Sequence, residues 1–181
     1  MTSHLGNLTV TKENALSFPA VSEIFGHLTI ASGAELRAPK LTMVRGWVTV
    51  LRGGGLTAPQ LGLIDGWATI EGHLSALHLI EIRQDLSMSE GSVIDLPALA
   101  QVGAINMARG AAKNLVSLTE VRESVTLMAM AQLQVDRLEK IGRSITLREN
   151  SRLDAPALNH IGGYADIDET ARMVAPNYGR K

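Results

Sequence analysis

The chain has 181 residues, 45% of them hydrophobic and 19% charged, with a net charge of −1 and no cysteine. That length suffices for one continuous core, and the near-neutral balance excludes the basic footprint of a nucleic-acid binder. The missing cysteines exclude a disulfide framework, a thiolate metal site and a cysteine nucleophile.

Residues Met1 to Asn7 lack the basic start and apolar stretch of a secretory leader. No run approaches the roughly 18 apolar residues of a membrane helix. Together they predict a cytoplasmic protein with no membrane partner. From there the chain is punctuated. All six prolines fall in one context, ending Leu16 to Pro19, Leu36 to Pro39, Leu56 to Pro59, Ile94 to Pro97, Leu153 to Pro156 and Met173 to Pro176. Aligning them gives the template L-x-x-P-x-L-x-x-I-x-G-x-L-x-I followed by five variable residues. A fixed period of this length is the signature of a stacked-repeat architecture.

Numbered 1 to 20, the coils start at Leu16, Leu36, Leu56, Leu74, Ile94, Lys113, Leu133 and Leu153. The third is two residues short, the fifth one short, and the sixth puts Lys113 where the others carry an aliphatic residue. Position 6 is aliphatic in all eight, from Val21 and Leu41 to Leu158. Position 9 is too, from Ile24 and Val44 to Ile161. Positions 13 and 15 are apolar throughout, as in Leu28 and Ile30 or Val48 and Val50. The residue between them is polar: Thr29, Thr49, Thr69, Ser87, Asn106, Thr126, Thr146, Asp166. Such alternation is a half-buried strand, inward at 13 and 15 and outward at 12, 14 and 16.

One strand per coil pairs in parallel and in register with its copy in the next. The expected fold is therefore all-β, a right-handed parallel β-solenoid, leucine-rich-repeat-like, of about eight 20-residue coils. At the ~4.8 Å strand spacing, eight coils make a rod about 38 Å long. The chain divides as a half coil at 1–15, full coils at 16–172 and a half coil at 173–181, all in one domain. Positions 1 to 9 are read as a return path with inward residues at 1, 6 and 9, and the glycine at position 11 as the residue that permits the corner before the strand. Residues 111–121 alone, lacking proline and glycine, admit a helical alternative, but Leu118 and Val121 keep the repeat phase and favour the solenoid.

The pattern carried by Leu36, Pro39, Leu41, Val44, Gly46, Val48 and Val50, and by their equivalents elsewhere, resembles the leucine-rich coils of receptor L domains and of related fungal cell-wall proteins. The resemblance covers nearly the whole chain. It implies a right-handed β-helix-like solenoid that binds proteins or is structural.

Aromatic residues are only 3% of the chain, yet both tryptophans, Trp47 and Trp67, fall at outward position 12 of successive coils. His27 precedes them in that row and Asp85 follows. Thr49 and Thr69 run alongside, and Leu51 at position 16 widens the patch. Exposed aromatic anchors mark protein interfaces, so these seven residues are the expected partner-binding surface. The bland alternative is that the rings only shelter the strands.

Chemistry is weakly signalled. Glu71 and Asp85 should lie roughly 13 Å apart at ~3.3 Å per residue, too far for a carboxylate pair. Asp166 and Asp168 share a face, as a charged cap would. His4, His27, His73, His78 and His160 show no metal-ligand spacing, and Gly53 to Gly55 is not followed by the Lys and Ser/Thr of a phosphate loop. Arg37, Lys40, Arg45 and Arg52 read as a solvated basic cluster. The threonine row is too interrupted for an ice-ordering face. The leading expectation is a non-enzymatic, cofactor-free and metal-free scaffold that binds a protein partner. The half coils are complementary in phase, which makes end-to-end self-assembly into a homo-oligomer the second reading; a carbohydrate-binding β-helix is the third.

Overall fold

The architecture follows from the period. In the computed structural model, which describes residues 2–14, 18 and 20–179, each coil contributes short strands that pair in parallel with the coils before and after it. The expected start of the first full coil at Leu16, and Pro19, lie outside the described residues. One face is a nine-stranded sheet running from Thr2–His4 through Val21–Ile24 to His160–Ile161. A second nine-stranded sheet runs from Leu8–Val10 to Ala165–Ile167. It carries the threonine row in register, with Thr29 beside Thr9 and Thr49, and Thr69 beside Thr49 and Ser87. The expected all-β solenoid of stacked parallel coils is what forms.

The return path is more regular than expected. It contains a third face, made of two four-stranded sheets: Glu35–Arg37 through Val93–Asp95, and Ala112–Asn114 through Arg172–Val174. The central residue of five of these eight strands, Leu36, Leu56, Leu74, Leu133 and Leu153, is buried. Position 1 therefore points inward because it is the middle of a strand. Residues 111–121 take strand conformation at Ala112–Asn114 and Glu120–Val121, so the helical alternative is not realised. Among the described residues no helix is long and apolar enough to cross a membrane.

The core is one column of aliphatic side chains. In the third coil Leu56, Leu61, Ile64, Ala68 and Ile70 are all 0% exposed. Position 3 is also inward, which the template did not show: Ala38, Ala58, Ala76, Leu96, Leu115, Val135 and Ala155 are buried. A turn explains it. The N–H of position 6 donates to the carbonyl of position 3, as from Leu41 to Ala38 at 3.1 Å and from Leu61 to Ala58 at 3.0 Å. Proline then occupies the second place of a β-turn, where its fixed φ is pre-set and no N–H is needed.

A second turn closes positions 16 to 19. Gly54 N–H donates to Leu51 O at 2.8 Å and Ala131 N–H to Met128 O at 2.9 Å. Its third residue is left-handed: Gly33, Gly53, Gly91 and Gly110 have φ of 70–75°, and Met130 and Asn150 have 61° and 56°. That is the type II requirement. It lies within the five residues that the sequence leaves variable.

The glycines at position 11 do something other than open a corner. Gly6 of the first half coil has a φ of 100°, but Gly26, Gly46, Gly66 and Gly163 do not have a positive φ; they let successive backbones approach. A Cβ on Gly66 would lie 2.7 Å from the carbonyl oxygen of Gly46, and one on Gly46 would run into the ring of His27. The glycine is demanded by the neighbouring rung, not by its own dihedrals.

Candidate functional site

In-register pairing puts the same position of successive coils one strand spacing apart, ~4.8 Å. At position 12 this spacing suits flat rings. His27 stacks on Trp47 at an interplanar angle of 10°, and Trp47 stacks on Trp67 with centroids 4.5 Å apart and planes 6° from parallel. The column begins at Asn7, whose Oδ1 accepts from the His27 backbone N–H at 3.0 Å. His27 Nδ1 in turn accepts from the Trp47 backbone N–H at 3.2 Å. This fixes the imidazole with Nδ1 as acceptor and holds the first ring of the stack in place.

Stacking divides the two tryptophans. Trp47 has a ring on each side and is half-buried. Trp67 has a ring on one side only and is 40% exposed. The next rung places Asp85 beside it, since Ala68 pairs with Leu86. Asp85 is short, half-buried, and its Oδ2 accepts from Asn106 Nδ2 at 3.2 Å. Beyond Asp85 the row stays low, with Ala104, Ser124 and Ser144, until Tyr164, which is 67% exposed. The outer part of the Trp67 ring therefore stands clear on the side of Asp85.

Of the seven residues expected at a partner surface, His27, Trp47, Trp67 and Asp85 form one column. Thr49 and Thr69 lie in the adjacent row, half-buried and paired with each other. Leu51 sits four residues along from Trp47, about 13 Å away at ~3.3 Å per residue, half-buried at the far edge of the face. Asn7 and Asn106 were not picked out from the sequence. The signal was present, because Asn7 is one period before His27 and Asn106 lies in the threonine row.

The other candidates resolve into surface pairing. Asp166 and Asp168 both bind Arg148, at 2.8 and 3.1 Å, and their hydrogen bonds hold the Arg148 guanidinium above its ordinary pKa. Arg45 pairs with Glu23 at 2.8 Å and lies over the Phe25 ring. Arg122 reaches back to Glu81 and to Gln101 Oε1, bridging two rungs of the first sheet. Exposed pairs of this kind contribute little each. His78 hydrogen-bonds the Pro59 carbonyl oxygen at 2.6 Å. Among the described residues, no group of three or more His, Asp or Glu side chains is placed to hold a metal ion.

One feature comes from a length change rather than a motif. The third coil lacks the four-residue turn, and Glu71-Gly72 cuts the corner instead, with Gly72 N–H donating to Val50 O at 3.1 Å. The flanking turns at Arg52–Gly53 and Glu90–Gly91 stand proud of it and leave an open notch of about 410 Å³ bordered by Glu35 and His73. Its lining is glycine backbone, solvated charge and the Val93 side chain.

Comparison with protein-family models, with characterised proteins and with solved structures finds no match.

Proposed function

We propose that this chain is a non-catalytic protein-binding module that engages its partner through the column His27, Trp47 and Trp67, with Thr49, Thr69, Leu51 and Asp85 around it. The observation that carries the reading is the bare, 40% exposed Trp67 ring at the end of an ordered stack. Water gains nothing from an aromatic column on an open sheet, whereas a partner that covers it removes a large apolar surface already held rigid. A rigid aromatic loses little side-chain entropy on binding and makes an efficient anchor. Shelter of the strands accounts for Trp47, which is sandwiched, and leaves Trp67 unexplained. The similarity of the coil motif to receptor L domains supports the same class of function.

Capture tests it. Immobilised full-length chain and a Trp47→Ala/Trp67→Ala variant are compared for proteins retained from an extract of the source cells, with circular dichroism confirming that the variant keeps its strands. A partner retained by the first and lost from the second is the expected outcome. Equal retention of every protein by both would overturn the reading.

A second reading, self-assembly through the solenoid end, is favoured by one observation. Leu8 and Val10 of the first described rung are 5% and 0% exposed, whereas Ile167 and Tyr164 of the last are 38% and 67% exposed. The strand Ala165–Ile167, paired with Ile145–Leu147 on one side only, has both an open edge and apolar side chains, the combination that invites strand addition.

A further inference from the structure

We infer that the place beside Trp67 is a slot for a cationic side chain of the partner, and that the side chain it fits is arginine. This rests on the protein-binding reading above and names the chemistry of its contact.

The column is a series of flat groups at strand spacing: His27, Trp47, Trp67. The next place in the series is taken by Asp85, a side chain shorter than an indole, beside a Trp67 ring that is 40% exposed. A group completing it must be planar, to lie against the indole face. It must also satisfy the Asp85 carboxylate, which it would otherwise bury. An aromatic ring meets the first condition and leaves a carboxylate desolvated, which is costly. An ammonium meets the second and is not planar. A guanidinium meets both: it stacks on indole faces, is weakly hydrated, and presents an N–H fork that matches a carboxylate. Asn106 Nδ2 donates to Asp85 Oδ2 and so orients that carboxylate. Arg83 lies two residues before Asp85 on the same coil. It is engaged elsewhere, with Asp65 at 2.7 Å and Glu81 at 3.8 Å, and so leaves the local field with an unmatched acid.

The test uses the full chain, labelled with ¹⁵N, and three short probes: acetyl-Gly-Arg-Gly-amide and its lysine and citrulline counterparts. Citrulline keeps the planar shape and removes the charge. The two indole N–H signals are followed by NMR, with Trp67 assigned by Trp67→Phe. The arginine peptide should move the Trp67 signal saturably, with lysine weaker. Loss of a charge-assisted pair should weaken the citrulline peptide, and arginine binding to Asp85→Asn, by about tenfold. Equal titration by arginine and citrulline, no movement with arginine up to its solubility limit, or saturable movement with cellobiose instead would overturn the slot. If a captured partner is lost with Trp47→Ala/Trp67→Ala yet bound equally by Asp85→Asn, the binding face stands and the arginine slot falls. If no partner depends on the tryptophans, the face itself falls.

Discussion

Met130 occupies a backbone conformation that glycine fills in four other coils, with φ of 61°. A left-handed residue with a Cβ costs roughly 1 kcal/mol, and Met130 recovers little of it because its side chain is 45% exposed. Asn150 sits in the same place of the next coil at 56° and tolerates it, since asparagine is enriched in this region. Met130→Asn should therefore raise stability by about 0.5–1 kcal/mol, read as a higher urea midpoint with an unchanged slope. No change or a lower midpoint would mean that the turn is not strained. At this scale the sequence was legible where side chains repeat and silent where backbone does. Positions 6, 9, 13 and 15 announce themselves as aliphatic, and the core forms as they imply. The left-handed site is filled by Gly33, Gly53, Gly91, Gly110, Met130 and Asn150, a mixture with no common side-chain chemistry, and it was invisible for that reason. The buried position 3 was hidden in a similar way, because alanine at Ala38, Ala58 and Ala76 is as ordinary outside a core as in one.

Among the described strands, the third face breaks between Val93–Asp95 and Ala112–Asn114. Elsewhere its ladder is continuous across the corner: Gly55 N–H donates to Ala34 O, Val93 N–H to Gly72 O and Gln132 N–H to Ala111 O. The equivalent bond from Ala112 N–H to Ser92 O does not form, and the Lys113 ammonium occupies that carbonyl instead. Lys113 stands where the neighbouring coils put Ile94 and Leu133, so its stem points toward the core while its charge turns back to the nearest backbone acceptor. Burial lowers its pKa from the ordinary 10.5. The unfolded chain then holds this proton more tightly than the folded one. The stability cost is present in full below the folded-state pKa and is relieved as pH rises from that value towards 10.5. Lys113→Leu should add about 1–2 kcal/mol at neutral pH by burying apolar surface in place of a charge. It should also flatten the rise in stability at alkaline pH and slow hydrogen exchange at Ala112. An unchanged alkaline slope would show that Lys113 does not set it. The anomaly of Lys113 could be read in the sequence as a degenerate coil, but its consequence could not, since that depends on which carbonyl lies within reach.

Over the whole molecule, the stacking converts a period into columns, and the proposed binding face rests on what one column holds. The column at position 12 could be placed from the sequence because both tryptophans share a phase. The division of labour between them could not, because it depends on which ring has a second neighbour. The two ends also differ, with Val10 buried and Ile167 exposed. If the exposed end recruits a second copy, light scattering across a concentration series should show the mass rise from 19.4 kDa and level off at a pair, because the exposed apolar side chains described here lie at the Ala165–Ile167 end while Leu8 and Val10 are buried. A constant mass removes self-association, and growth beyond a pair means that both ends take part.

The binding face is tested most directly by the affinity of a captured partner for the full chain and for Trp47→Ala/Trp67→Ala, measured by calorimetry on folded proteins. Losing an anchor worth about 2 kcal/mol or more should weaken binding roughly 30-fold or more, while the rest of the solenoid keeps its fold. An affinity that survives the double substitution unchanged would contradict the assignment and return the tryptophans to the role of strand shelter.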